Sequence, residues 1–152
     1  DTLNASGTVT NINTVFPGTG LGNQLREVVK LIRLRSQIGP GRQVFFCSMG
    51  GFDTHTSQDY NHWALLSEMS AAMNAFYNAT VEVGLSNQVT AFTQSEFGRT
   101  LQPNGTGTDH AWGGHQIILG GAVLAGLTFA AGPHSSKMRL LHFAQTSLSS
   151  RA

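Results

Sequence analysis

The stretch Gln43-Val-Phe-Phe-Cys-Ser-Met49, followed at once by Gly50-Gly-Phe-Asp-Thr-His55, decides how the rest of the chain is read. Residues 43–49 form a nearly continuous apolar run, too short for an ordinary helix. A run of this kind is the signature of a strand buried on both faces, as in parallel sheets. The glycine pair ends the strand, and the turn beyond it carries two potential metal ligands, Asp53 and His55.

Upstream, Leu21 to Arg35 places Leu21, Leu25, Val28, Val29 and Ile32 on one face and Arg26, Lys30 and Arg33 on the other, which predicts an amphipathic helix ended by Gly39-Pro-Gly41. Downstream, Trp63, Leu66, Met69, Met73, Phe76 and Thr80 recur at helical spacing with Ala71, Ala72 and Ala75 between them. They predict a long helix from about Asn61 to Glu82, stopped by Gly84. Gln88 to Thr93 resumes as a strand and leads into the polar turn Ser95-Glu-Phe-Gly-Arg-Thr100. Leu101 to Gly114 reads as a glycine-rich loop, and Gln116 to Val123 as a further apolar run. Helix, strand, helix, strand is the order of an α/β fold: a parallel-rich sheet flanked by helices. Residues 1–14 read as a polar arm, 15–126 as the α/β domain and 127–152 as a C-terminal tail, with one or two amphipathic helical turns between Met138 and Leu148.

Composition sets the class. The chain has 152 residues, enough for one self-sufficient core, and is 40% hydrophobic but only 11% charged, with a net charge of +1. That balance fits neither a disordered acidic chain nor a nucleic-acid binder held by a basic surface. Cys47 is the sole cysteine, so an intrachain disulfide and a cysteine-rich zinc site are both excluded. Ile117 to Ala131 is broken by glycines and too short for a membrane span, and no basic start followed by an apolar segment marks an export signal. A soluble chain without membrane or nucleic-acid partners is expected.

In open α/β sheets, ligands bind where the strand-to-helix loops converge. Asp53 and His55 follow the first predicted strand, Glu96 and Arg99 follow the second, and Asp109, His110 and His115 precede the third. Carboxylate oxygens with imidazole nitrogens suit a divalent metal, zinc first, with manganese, iron or calcium as alternatives. One or two such ions would activate a nucleophile and stabilise the leaving oxygen of an ester, with the Arg99 guanidinium on the substrate oxyanion. Each residue also has a plainer reading. Asp53 could cap the following helix, Asp109 could close an Asx turn, Glu96 and Arg99 could pair with each other, and His115 could simply begin a strand. His62 and Trp63 read as helix surface, Met69 and Met73 as core. Ser48 is the serine best placed as a nucleophile, but no Gly-x-Ser-x-Gly elbow occurs. Cys47, in a buried strand, reads as inert packing.

Four motifs in order carry a resemblance: Phe16-Pro-Gly-Thr-Gly-Leu-Gly-Asn-Gln-Leu25, Arg42-Gln-Val-Phe-Phe-Cys-Ser-Met-Gly-Gly-Phe-Asp-Thr-His55, Phe92-Thr-Gln-Ser-Glu-Phe-Gly-Arg-Thr100 and Gly107-Thr-Asp-His-Ala-Trp-Gly-Gly-His115. Together, over about residues 16–126, they resemble the bacterial family listed as domain of unknown function 1501. That family is similar to the alkaline phosphatase and sulfatase superfamily, α/β hydrolases of phosphate or sulfate esters that use one or two metals. The resemblance implies a partial alkaline-phosphatase-like layer architecture, with Asp53 and His55 as one ligand pair, Glu96 as an acidic ligand, and Asp109 with His110 as the rest. The superfamily's nucleophile and a neighbouring Asp ligand belong to an N-terminal strand that this sequence does not show. Relatives are commonly exported and continue past Gly126 with further sheet elements, so a truncated or frame-shifted ending is one expectation for residues 127–152.

The leading expectation is therefore a metal-dependent hydrolase of a small ester substrate, with a metal-coordinated water as attacking group. A serine carboxylesterase and a non-catalytic, truncated interaction or structural domain are the alternatives. A sheet lacking a strand would leave an open edge, so a homo-oligomer through that edge is also expected.

Overall fold

The computed structural model describes residues 11–39 and 41–123. The outer part of the polar arm and the whole 127–152 tail, including the Met138–Leu148 segment, lie outside the described residues.

Helix α1 spans Gly20–Arg33, and a short helix α2, Arg35–Ile38, continues it after a break at Leu34. The start of α1 follows from local chemistry: the Thr19 side chain accepts a hydrogen bond from the Gly22 N–H at 3.2 Å, a threonine N-cap. Lys30 and Arg33 occupy the last turn, where cations offset the partial negative charge of the helix end. Leu21, Val29 and Ile32 are buried on the expected face, with Leu25 and Val28 partly buried beside them.

Helix α3 is longer at its start than the spacing predicts, running Gln58–Glu82. Its C-terminus is a Schellman motif: Gly84 takes φ +72°, its N–H bonds Val81 O at 2.9 Å, and the Leu85 N–H bonds Thr80 O at 2.8 Å. Leu85 then turns into the core against Val29, Ile32, Phe76 and Ala79. The buried stripe of α3 differs from the expected one. Ala72, Ala75, Phe76, Ala79 and Thr80 are buried, while Trp63 is 68% and Leu66 47% exposed. The alanines that read as spacers are the contact surface, because small side chains let two helix backbones approach closely. Only the C-terminal half of α3 is covered in this way.

The sheet is where expectation and structure part. The strands are β1 (Ala91–Phe92), β2 (Gly98–Pro103), β3 (Thr108–Ala111) and β4 (Ile118–Leu119). They form two separate two-stranded sheets, β1 with β4 and β2 with β3, both antiparallel. The parallel-rich sheet is thus replaced, among the described residues, by two small antiparallel pairs beside the helices. Residues 43–49 join neither sheet. Their exposure still alternates with period two, and Phe45 packs on the core while Val44 and Phe46 are 89% and 91% exposed. An apolar run announces a demand for cover on both faces; here the helices meet it on one face only.

Two side-chain clasps tie these parts together. The Gln24 amide of α1 donates to Ser48 O and accepts from the Ser48 N–H, each at 2.9 Å. Glu82 of α3 accepts from the N–H groups of Asn13 (2.7 Å) and Thr14 (2.8 Å) and from the Thr14 hydroxyl (2.6 Å), which docks the inner end of the arm. These bonds hold the Glu82 carboxyl below its ordinary pKa, the Thr14 side-chain bond contributing most.

Candidate metal centre

The residues Leu101 to Gly114, expected as a loop, contain the β2–β3 hairpin on which half of the site is built. The Asn104 N–H bonds Gly107 O at 3.0 Å, so the tip is Gly105-Thr106, with Gly105 at φ +122°. A glycine at the first of two tip positions is a two-residue hairpin signal, and Gly105 supplies it in the sequence. The register pairs Arg99 with His110 and Pro103 with Thr108, and the unequal spacing marks an irregularity in β2 between them. The Thr100 hydroxyl stabilises it, donating to Gln102 O at 2.8 Å and accepting from the Asp109 N–H at 3.2 Å.

The turn after residues 43–49 meets this hairpin. Gly107 is buried at the junction, and a methyl group there would lie 2.5 Å from Thr54 O and nearer still to the His55 carbonyl. Bonds from Gln58 N–H to Thr106 O (2.9 Å), Ser57 N–H to the Thr106 hydroxyl (3.1 Å) and the Thr108 hydroxyl to Gln58 Oε1 (2.6 Å) join the start of α3 to the same hairpin. Three elements are therefore locked around one point.

At that point three nitrogens converge on Asp53 Oδ1: His110 Nε2 at 2.7 Å, His55 Nε2 at 3.0 Å and Arg99 Nη2 at 3.4 Å. Asp53, His55 and His110 each offer one ligand atom, and these atoms lie within 4.8 Å of one another. Behind them, Asp109 Oδ1 faces His55 Nδ1 at 3.2 Å and itself accepts from Asn104 Nδ2 at 2.6 Å. This is the carboxylate-to-imidazole support that fixes a metal-binding histidine's tautomer and ring plane. The His110 hydrogen bond, helped by the charges of His55, His110 and Arg99, lowers the pKa of Asp53 and favours its anion.

Both ring nitrogens of His55 thus face carboxylate oxygens, and a neutral imidazole donates from only one of them. The nitrogen that does not donate keeps a lone pair beside an exposed carboxylate, an arrangement that a cation would relieve. One carboxylate oxygen and two imidazole nitrogens suit zinc, manganese or iron. They suit calcium poorly, since calcium takes six to eight oxygen ligands. Tetrahedral ligands about 2.0–2.1 Å from zinc stand roughly 3.3 Å apart, so the two contacts to Asp53, at 2.7 and 3.0 Å, are within tenths of an ångström of that spacing, and all three ligand atoms lie within 4.8 Å of one another.

The other expected site residues fall elsewhere. Arg99 directs Nη1 to Thr108 O (2.9 Å) and Nη2 to Phe52 O (3.1 Å), Thr54 Oγ1 (3.3 Å) and Asp53. With its side chain only 12% exposed, it braces the 52–54 turn against the hairpin, its fork directed to protein oxygens. Glu96 and His115 are exposed and stand outside the three-residue group, and no Glu96–Arg99 ion pair occurs among the described residues. The sequence places them next to the motifs, but Glu96 lies before β2 rather than within the hairpin, and His115 lies beyond the end of β3. Ser48 has its backbone held by Gln24, and its hydroxyl makes no hydrogen bond among the described residues. Burial raises the pKa of Cys47, in keeping with an inert thiol.

Three contributors were not read from sequence: Asn104 behind Asp109, Phe97 stacked on His110, and His62, whose Nε2 lies 2.9 Å from the buried Thr54 hydroxyl. Asn104 adjoins a sequence signal, the glycine of the Gly105-Thr106 tip; the other two follow from tertiary packing alone. A hollow of about 530 Å³ lies along Trp63, Leu66, Ser70 and Asn74 of α3, and none of the cluster residues lines it. It is open and shallow and carries no convergent polar groups, so the chemistry is better judged from the cluster.

Among the described residues, no helix is long and apolar enough to cross a membrane. No curated protein and no solved structure matches the chain. A family model does match, over residues 18–139, and so continues past the Gly126 at which the motif resemblance ends. The chain, with its clustered Asp53, His55 and His110, belongs to the family described as "Protein of unknown function (DUF1501)".

Proposed function

We propose that this chain is a divalent-metal-dependent hydrolase of ester bonds, acting on a small phosphate or sulfate ester. The observation that carries the reading is the convergence of His55 and His110 on Asp53, with Asp109 fixing the outer nitrogen of His55. The family's resemblance to the alkaline phosphatase and sulfatase superfamily supplies the substrate class, and an alkaline-phosphatase-like layer architecture belongs to the same proposal.

Asp53, His55 and His110 would hold the ion, zinc in the first instance. When bound, such an ion supplies Lewis-acid polarisation of an ester oxygen. Asp109 and Asn104 keep His55 turned so that Nε2 points inward, and Arg99 keeps the Asp53 turn against the hairpin. The cluster is open to solvent, so water is the attacking group available to it. The Thr54 hydroxyl, although paired with His62, is 4% exposed and out of a substrate's reach.

Elemental analysis of the purified chain, paired with assays on phosphate, sulfate and carboxylate esters before and after chelation, tests the reading. Bound zinc or manganese with chelator-sensitive hydrolysis of the first two is expected, and the double change Asp53→Ala with His55→Ala abolishes both. Near-zero metal with full esterase activity would overturn it.

A further inference from the structure

Resting on that metal-binding reading, we infer that Phe97 is a positioning residue for the site: its ring clamps the His110 imidazole in the plane that aims Nε2 at Asp53. The Phe97 and His110 rings are stacked with centroids 3.8 Å apart and planes within 8°. His110 stacks in turn near His55, at 5.0 Å and 30°, so three rings form a short ladder. The Arg99 guanidinium carbon lies 5.3 Å from the centroid of the same Phe97 ring. Phe97 therefore touches two of the three groups whose nitrogens reach Asp53 Oδ1.

The need for such a clamp follows from what His110 lacks. His55 has its outer nitrogen anchored by Asp109, whereas the hydrogen bond of His110 runs through Nε2 to Asp53, the atom a metal would take. His110 is exposed, on a short strand whose partner is irregular, and a free imidazole there would rotate about its terminal torsion, which is broad for histidine. A parallel aromatic face removes that freedom without occupying either nitrogen. The backbone supports the placement, because Ser95 donates to Phe97 O at 2.8 Å and closes the turn just before β2. Aromatic pairs of this kind contribute beyond the area they bury. Ring-on-ring support is thus the counterpart, for His110, of the carboxylate support that His55 receives.

The test is zinc binding by titration calorimetry, with cobalt(II) absorption as a report on ligand geometry, on wild type, Phe97→Leu and Phe97→Tyr. Leucine keeps most of the volume and removes the ring; tyrosine keeps the ring. Phe97→Leu is expected to bind zinc about 10- to 100-fold more weakly, the range for losing an outer support of a ligand. Its cobalt spectrum should change while its melting temperature stays close to wild type, and Phe97→Tyr should restore both. Equal zinc affinity in wild type and Phe97→Leu overturns the inference and leaves the metal reading standing. Failure of wild type itself to bind zinc, manganese or cobalt overturns the metal reading and the inference with it. Should Phe97→Leu not fold, the wild-type spectrum decides: His110 ring protons without the upfield ring-current shift of a stacked phenyl would refute the clamp.

Discussion

Replacing Gly107 by alanine presses directly on the junction that assembles the site. Gly107 is not at a positive φ, so the residue is there for closeness and not for backbone freedom. The added methyl would stand 2.5 Å from Thr54 O and nearer still to the His55 carbonyl, against an ordinary contact of at least 3.4 Å, so the hairpin and the 53–55 turn must part by more than about 0.9 Å. Parting strains the Thr108 N–H to Thr54 O bond, already long at 3.4 Å, and the 2.9 Å bond from Gln58 N–H to Thr106 O. Overpacking of this kind typically costs about 1–3 kcal/mol, which for a chain of this length lowers Tm by roughly 2–4 °C per kcal/mol. The site suffers more than the fold. Asp53 and His55 stand on one side of the junction and Asp109 and His110 on the other, so a shift near 1 Å opens both His–Asp contacts across it, and zinc affinity should fall by about 10- to 100-fold. Calorimetric zinc titration and thermal melting measure the two effects. Gly113→Ala is the control, since a methyl there has no heavy atom within 4 Å and should leave both unchanged. Gly107→Ala with wild-type affinity and Tm would refute the close-approach argument, and so would an equal loss in Gly113→Ala.

Phe76→Ala empties the buried contact between α1 and α3 and is expected to cost about 3–5 kcal/mol in urea unfolding; a loss under 1 kcal/mol would mean that Phe76 does not anchor the core. Glu82→Gln should free residues 13–14, seen as faster amide exchange there. Because folding lowers the pKa of Glu82, its contribution in wild type is complete above the ordinary carboxylate pKa and disappears as pH falls through the lowered value; release of the arm on raising the pH instead would contradict the sign. Cys47, its pKa raised by burial, should be alkylated more slowly at neutral pH than a free thiol, and equal rates in folded and unfolded protein would show it to be unprotected. The exposed Val44 and Phe46 should drive concentration-dependent association in light scattering, weakened by Phe46→Ser, whereas a strictly monomeric species at high concentration would count against an adhesive edge.

The helices were legible because their signals are local. The Val29–Ile32 face, the Thr19 cap and the Gly84 stop each concern residues within a turn or two of one another. The α/β alternation was legible only as far as the helices go. Residues 43–49 carry the composition of a doubly covered strand, but whether a neighbour lies beside them is a long-range fact, and in this chain none of the four strands does. The site was half legible. Asp53, His55, Asp109 and His110 stood out by residue type and by the glycines near them, and all four come together. Arg99 was identified but not its job, because sequence does not say that backbone oxygens of Phe52 and Thr108 wait within 3.1 Å of its guanidinium. Glu96 and His115 were drawn in by adjacency, yet a few residues along an extended chain carry a side chain well away from the hairpin. Phe97, between Glu96 and Gly98, carries no signal of its own in the sequence.

The clasp between Gln24 and Ser48 also settles which way residues 43–49 can grow. In an extended chain a residue's N–H and C=O point to the same edge, and successive residues alternate edges. Ser48 has both groups occupied by one side-chain amide, so α1 acts there as a dead stop for strand addition, a blocked end of the kind that keeps edges from joining neighbours. At this end of the segment an added strand is therefore directed to the opposite edge, that of Cys47 and Met49, while on the Ser48 edge only Val44 and Phe46 keep amides free of this clasp. One glutamine thus makes the two edges unequal, shortening the run of amides that one of them can offer to a neighbour.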